Sequence, residues 1–212
     1  MLAPPPITSA QQPKALSLGV SNYSPWDLEM ADMSYCVLQY DGFIEKGPYN
    51  HPNIIFHKKF IKKYHSEDSI ILQEILSQYA FDQKHHNILQ CDIETYEWEM
   101  LESVDMELLS KYFSQIIFEF HKCYPDQEEL SYRKFSILSK INQYYSSIWA
   151  NHPNGGRNYY SKGLIFSDLI EVSYLRKDIA KIYENNGYRT SGNLKGLDYP
   201  NNPTRPSIPV KF

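Results

Sequence analysis

Apolar residues in this chain arrive as short unbroken runs, and stretches with helical spacing separate them. The runs Ala15–Val20, Tyr35–Tyr40, Asn53–Phe60, Asn87–Cys91 and Gln115–Phe120 have strand length and end in polar or turn-forming residues, which predicts buried strands. Between them, Ser24-Pro25 opens a helical stretch through Trp26, Met30 and Ala31, serine suiting a cap and proline a first turn. Asp68 opens a second helix through Ile71, Leu72, Ile75, Leu76 and Tyr79, and Tyr96 to about Leu109 reads as a third. Pro125 starts a long helix through Leu130, Phe135, Leu138 and Ile141. Two last strands, Ser147–Ala150 and Leu169–Leu175, flank the loop Asn151-His152-Pro153-Asn154-Gly155-Gly156 with no helix between them, so an antiparallel hairpin at a sheet edge is expected. Strands that are apolar throughout and alternate with helices predict an α/β fold with a largely parallel sheet.

The organisation this implies is a flexible Pro- and Gln-rich leader over residues 1–13, one domain over 14–186 and an irregular tail over 187–212. Composition agrees with a soluble globular protein: 42% apolar and 22% charged in 212 residues. A formal net charge of −4 removes the electrostatic footprint of a nucleic-acid binder, and Lys58-Lys59 with Lys62-Lys63 reads as a local solvated face. No stretch approaches the ~20 apolar residues of a membrane span, and the N-terminus lacks the regions of a signal peptide. Cys36 and Cys91 sit inside apolar runs and Cys123 is distant, a pattern of reduced thiols that points to the cytoplasm.

In an open parallel sheet, ligands bind beyond the carboxyl ends of the strands, so the residues there carry the functional argument. The first strand ends in Gly19-Val20-Ser21-Asn22, the second in Asp41, the fourth in Asp92 and Glu94, the fifth in His121 and the sixth in Asn151-His152. Each alone is weak, since a strand-terminal Asp often caps a helix and a lone His often makes a structural hydrogen bond. Gly19 and Asp41 lie 22 positions apart, close to the ~20 of a nucleotide-binding βαβ unit, where glycine admits the ligand and the acid holds ribose hydroxyls. The segment LGVSNYSP has one glycine where a dinucleotide fingerprint has three. A cofactor with a ribose and no phosphates fits that better, and S-adenosylmethionine is such a molecule.

The segments ALSLGVSNYSPWDLEMA, VLQYDGFIEK, NIIFHKKFI, ILQCDIETYEWEML and IIFEFH, in this order, resemble class I S-adenosylmethionine-dependent methyltransferases, in particular the FkbM-like and methyltransferase-like domain group. The likeness covers roughly residues 15–175 and is most specific in the DIE-YEW segment. It implies a Rossmann-like, seven-stranded, mostly parallel sheet with one antiparallel edge strand and helices on both faces. It also implies that Gly19, Ser21 and Asn22 line the methionine and ribose part of S-adenosyl-L-methionine and that Asp41 holds the ribose. Lys58, Lys59 and Phe60 would lie near the adenine, and Asp92 and Glu94 beside the sulfonium. Two departures stand out: the DxGxxxG opening is absent, and Thr95 replaces the glycine of the DIEG pattern. The N-terminal helices that close the site in many such enzymes have no counterpart in the leader, so a partner subunit or the loop after Asn151 is the expected lid.

Methyl transfer to a hydroxyl needs positioning and a base of near-neutral pKa. His121 and His152 are the candidate bases, with Asp92 and Glu94 as orienting carboxylates and Glu97 as a first-turn helix residue. Asp92, Glu94, His121 and His152 also have the donor types for a divalent cation such as Mg²⁺ or Mn²⁺. A zinc set from His85, His86, Cys91, His121 and Cys123 lacks paired ligand spacing, and no metal is assigned. The expected acceptor is a small molecule or glycan: a sugar or activated sugar precursor of a bacterial surface polysaccharide, with Arg157 and Arg176 among the cations available to an anionic substrate. A homo-oligomer remains open. The alternative is a catalytically silent methyltransferase-like binding module. A nicotinamide-dependent oxidoreductase is disfavoured by the missing phosphate glycines.

Overall fold

The computed structural model describes residues 12–124, 128–161, 163–184, 200–206 and 208. In chain order the strands are β1 (Lys14–Leu18), β2 (Cys36–Tyr40), β3 (Ile54–His57), β4 (Phe60–Ile61), β5 (Ser69–Ile70), β6 (Ile88–Cys91), β7 (Gln115–Phe120), β8 (Tyr145–Asn151), β9 (Asn158–Ser161), β10 (Leu164–Ser167) and β11 (Ile170–Arg176). The helices are α1 (Pro25–Asp32), α2 (Leu72–Gln78), α3 (Glu97–Ser103), α4 (Met106–Tyr112), α5 (Glu128–Tyr144) and α6 (Lys177–Glu184). Seven strands form one sheet in the order β3-β2-β1-β6-β7-β11-β8, with β1, β2, β3 and β6 paired in parallel and β11 antiparallel to β8 at the edge. The fold is α/β with a mostly parallel sheet, as the pattern of apolar runs predicts, and it is Rossmann-like, as the resemblance implies. Among the described residues no helix is long and apolar enough to cross a membrane.

Contacts divide the chain into two compact units, Met1–Ile116 and Ile117–Phe212, and the boundary falls inside β7. In unit 1, every residue of β1 and β2 is buried, which is why these strands read as unbroken apolar runs. Leu16, Leu18, Val37, Leu38, Ile75, Leu89, Leu101 and Leu109 make up much of its core. A polar row crosses it. The Ser17 hydroxyl donates to Gln90 Oε1 at 3.2 Å, and Gln39 Nε2 donates to Asp27 Oδ2 of α1 at 2.6 Å. Burial pushes the Asp27 carboxyl up from its ordinary pKa, while hydrogen bonds from Gln39, Ser17 and Ser24 pull the other way. In unit 2, Ile137 and Ile141 of α5, Tyr145, Val172, Tyr174 and Ala180 are buried.

Several boundaries differ from the sequence reading. β1 stops at Leu18 because Gly19 turns to φ +80°. The run Asn53–Phe60 is cut at His57, since Phe60–Ile61 pairs with Ser69–Ile70 in a separate two-stranded parallel sheet, and α2 consequently begins at Leu72 rather than Asp68. The stretch from Tyr96 to Leu109 is two helices, because Asp105 takes an extended conformation and its carboxylate caps α4 by accepting from the Glu107 and Leu108 amides. The connection between β8 and β11 is not a bare loop: it carries the antiparallel hairpin β9–β10, turned at Gly163 with φ +82° and stiffened by stacking of Tyr159 on Phe166. The helix α6 has no counterpart in the sequence reading. Residues 1–11 of the expected leader and 185–199 lie outside the described residues, as does Pro125. In the expected tail, Ile208 forms an antiparallel bridge with His152.

Candidate functional site

The register of unit 1 brings one set of residues to a common edge. Leu18 pairs with Tyr40 and Cys91, and Tyr40 with His57, so Gly19, Asp41, Lys58 and Asp92 each stand one residue beyond the carboxyl end of a parallel strand. The chain leaves β1 toward β2 and β3 on one side and returns as β6 on the other. The order therefore reverses between β1 and β6, the kind of crevice where ligands bind in open α/β sheets.

Gly19 occupies that crevice for a steric reason. Its φ of +80° favours glycine, and a Cβ there would lie 1.6 Å from the Asp92 carbonyl oxygen. Its amide donates to the Tyr40 carbonyl at 2.9 Å, and the Asp92 amide donates to the Leu18 carbonyl at 2.8 Å. Asp41 ties the edge together. Its Oδ2 accepts from the Val20 amide at 2.9 Å, while its Oδ1 accepts from Phe43 at 2.6 Å and Ile44 at 3.2 Å. Ser21 and Asn22 are exposed in the loop before α1, where the Ser21 hydroxyl donates to the Tyr23 carbonyl at 2.6 Å.

The turn after Asp92 separates the roles of Glu94 and Glu97 in HNILQCDIETYEWEML. Glu94 at φ +54° and Thr95 at φ +90° are both left-handed, an uncommon state for a non-glycine residue and a strained one for a β-branched residue. Glu97, the first residue of α3, is fully buried, and its Oε1 accepts from the Ile93 amide at 3.0 Å and the Thr95 amide at 3.2 Å. Thr95 therefore holds the conformation that the glycine of the DIEG pattern would adopt freely. Glu94 is exposed on this turn. The sequence reading placed Glu97 at the start of a helix, where it is, and missed that it is buried and braces the turn. Its position two and four residues after those amides was the available signal.

Phe60 opens β4 of the small sheet, and Lys59 precedes it. The Lys59 ammonium donates to the Glu67 carbonyl, the Phe60 ring lies against Gly42 and edge-on to Phe43 at 4.9 Å, and the Lys62 ammonium sits over it at 5.1 Å. Lys58 pairs with Glu45 at 2.5 Å. A cluster at the ends of β2 and β3 was not foreseen. His57 stacks on Tyr40 at 4.6 Å, and the Tyr79 hydroxyl lies 2.6 Å from His57 Nε2, to which it donates when the neutral ring carries its proton on Nδ1. Burial holds the His57 pKa below its ordinary value and pushes that of Tyr40 well up.

The two candidate bases, His121 and His152, belong to unit 2. His121 is buried just beyond β7, with Nε2 3.8 Å from Glu119 Oε1. His152 places Nδ1 3.2 Å from the Leu169 carbonyl, which suits an Nδ1–H tautomer. Cys36 and Cys91 are buried free thiols, as expected, and burial pushes the Cys91 thiol well above its usual pKa, an inert environment. Compared with known proteins, the chain matches no family model and no curated protein.

Proposed function

We propose that the chain is an S-adenosylmethionine-dependent O-methyltransferase acting on a sugar, or an activated sugar precursor, of a bacterial surface polysaccharide. The observation that carries this reading is the crevice at the β1–β6 switch point, where a left-handed Gly19 abuts the Asp92 peptide and Asp41 stands at the end of the neighbouring strand. Asp41 fits the ribose role in one specific respect. Its Oδ2 accepts a single amide and so retains acceptor capacity for a hydroxyl. A bound cofactor would supply a methyl group made electrophilic by its sulfonium. The chain's own part is to orient the acceptor and take its proton, and the reading assigns that proton to His121, imidazole being the side chain best suited to a base near neutral pH.

A second reading, a catalytically silent methyltransferase-like binding module, is favoured by one observation: the Asp41 carboxylate already accepts three backbone amides and so has a structural task. Calorimetry of the purified chain with S-adenosylmethionine and S-adenosylhomocysteine separates the readings. Saturable binding is expected, weakened about tenfold or more in Asp41→Ala, and His121→Ala should lower turnover more than affinity. Absence of binding for both compounds at millimolar concentration would sink the cofactor assignment. Binding with no turnover across sugars and phosphorylated sugars would leave the silent module, and unchanged turnover in His121→Ala would remove that residue from the base role.

A further inference from the structure

Unit 2 carries a concave patch that the methyl-transfer reading does not use. The turn after Asn154 and the segment that returns to it at residues 205–206 enclose a shallow depression of about 640 Å³, lined by Gly155, Gly156, Arg157, Asn158, Arg205 and Pro206. Two of the six are arginines in a chain of formal net charge −4, so their convergence does not follow from general basicity. Arg205 is separated from Arg157 by 48 positions, and only the return of the C-terminal segment brings it to this rim.

The Arg205 guanidinium is held in place by its Nη1, which donates to the carbonyls of Asn154 at 3.4 Å, Gly155 at 3.2 Å and Gly156 at 3.1 Å. A guanidinium presents five N–H donors in a planar fork. Among the described residues, Nε and Nη2 of Arg205 have no protein acceptor. The anchoring thus fixes a positive charge and leaves one side of the fork for a ligand, a pre-organised arrangement that loses little entropy on binding. The backbone of Arg157 is clamped as well: its amide donates to Asp168 Oδ1 at 2.7 Å, and the Asp168 amide donates to its carbonyl at 3.0 Å. The Arg157 side chain hydrogen-bonds that of Tyr159 and feels the nearby Asp168 carboxylate, whose Oδ1 accepts the Arg157 amide, so a phosphate would be met by an exposed guanidinium with one protein partner. Gly156 could not be replaced at no cost, because a Cβ would lie 2.5 Å from both Asp168 Oδ1 and Ser167 Oγ. Adjacent glycines therefore leave the backbone of the depression uncovered.

We propose that this depression binds a phosphate group, free or as a phosphomonoester, between the guanidinium groups of Arg157 and Arg205. Paired guanidinium forks match the oxygens of a doubly charged phosphate better than a single carboxylate. The proposal does not rest on the methyl-transfer reading, and a chain that binds no S-adenosylmethionine still tests it.

The test is calorimetry of the full chain with sodium phosphate, glucose 1-phosphate and glucose in separate titrations, at ionic strength held constant with sodium chloride. Saturable heat is expected from at least one phosphorylated compound and none from glucose. Tighter binding of glucose 1-phosphate than of phosphate identifies an ester as the ligand, and the reverse identifies the free anion. The exposed Arg157→Ala variant should bind about tenfold or more weakly, from the loss of charge-assisted hydrogen bonds. Arg205→Lys keeps the charge, loses the fork and should also weaken binding with an unchanged circular dichroism spectrum. No saturable binding of either phosphorylated compound at about 20 mM, or equal affinity in Arg157→Ala, would overturn the proposal.

Discussion

Thr95 and Gly19 face the same conformational constraint with opposite side-chain solutions. Gly19 sits at φ +80° with no room for a Cβ, whereas Thr95 carries a branched side chain at φ +90°. A left-handed backbone costs a non-glycine residue about 1–2 kcal/mol, and the two amides bound by Glu97 Oε1 offset that cost in the native turn. Two substitutions should therefore move stability in opposite directions. Gly19→Ala is expected to lose about 3 kcal/mol or more, from the overlap with the Asp92 carbonyl added to the backbone strain. Thr95→Gly should gain about 1 kcal/mol, strain relief exceeding the added freedom of the unfolded chain. Urea denaturation of both variants reads the two signs, and a destabilised Thr95→Gly would show that the threonine side chain itself supports the turn. The strain at residue 95 was not legible in the sequence, where Thr95 stood only as a departure from a glycine pattern, because φ depends on how α3 and β6 are joined.

Between elements, the His57 cluster joins β2, β3 and α2 through one imidazole. Burial lowers the folded-state pKa of His57 below the value of about 6.5 that the unfolded chain retains. Between those two pKa values the unfolded state binds more protons, so the contribution of a neutral, buried His57 is present above about pH 6.5 and is lost as pH falls toward the folded pKa. Protonation also removes Nε2 as acceptor for the Tyr79 hydroxyl, held at 2.6 Å. His57→Gln is expected to be less stable than the parent at pH 7.5, with the gap narrowing at pH 5.5. A gap independent of pH, measured by denaturant midpoints in buffers of equal ionic strength, would exclude this residue as a source of acid sensitivity. The existence of β2, β3 and α2 was readable from apolar spacing. Their boundaries were not, because Phe60–Ile61 and Ser69–Ile70 are strands only by virtue of pairing with each other.

For the molecule as a whole, a buried side-chain amide takes part in long-range closure within unit 2. Asn154 Nδ2 donates to the carbonyls of Asn202 at 2.8 Å and Arg205 at 3.0 Å, and its Oδ1 accepts from the Asn202 amide at 2.8 Å. Asn154→Ala strands these groups and should cost about 2–3 kcal/mol, an estimate set by the penalty for unpaired buried polar groups. Limited proteolysis should then cut the segment around residues 200–206 faster than in the parent. Equal cleavage rates would mean that the bridge between His152 and Ile208 is enough to hold it.

The sequence by itself determined the fold class, because unbroken apolar runs alternating with helical spacing have few packed solutions other than a largely parallel sheet. It also determined which residues stand at strand ends: Gly19, Asp41 and Asp92 occupy one edge because the strand period and parallel register leave them no other place. Only the tertiary structure decided what those residues are bonded to. Asp41 clasps three amides, Glu97 braces a strained turn and Arg205 reaches back to the carbonyls of Asn154, Gly155 and Gly156. Hydrophobic periodicity is a local signal that survives in a linear string. Hydrogen-bond partners and charge neighbours are set by chain return, which no local pattern records.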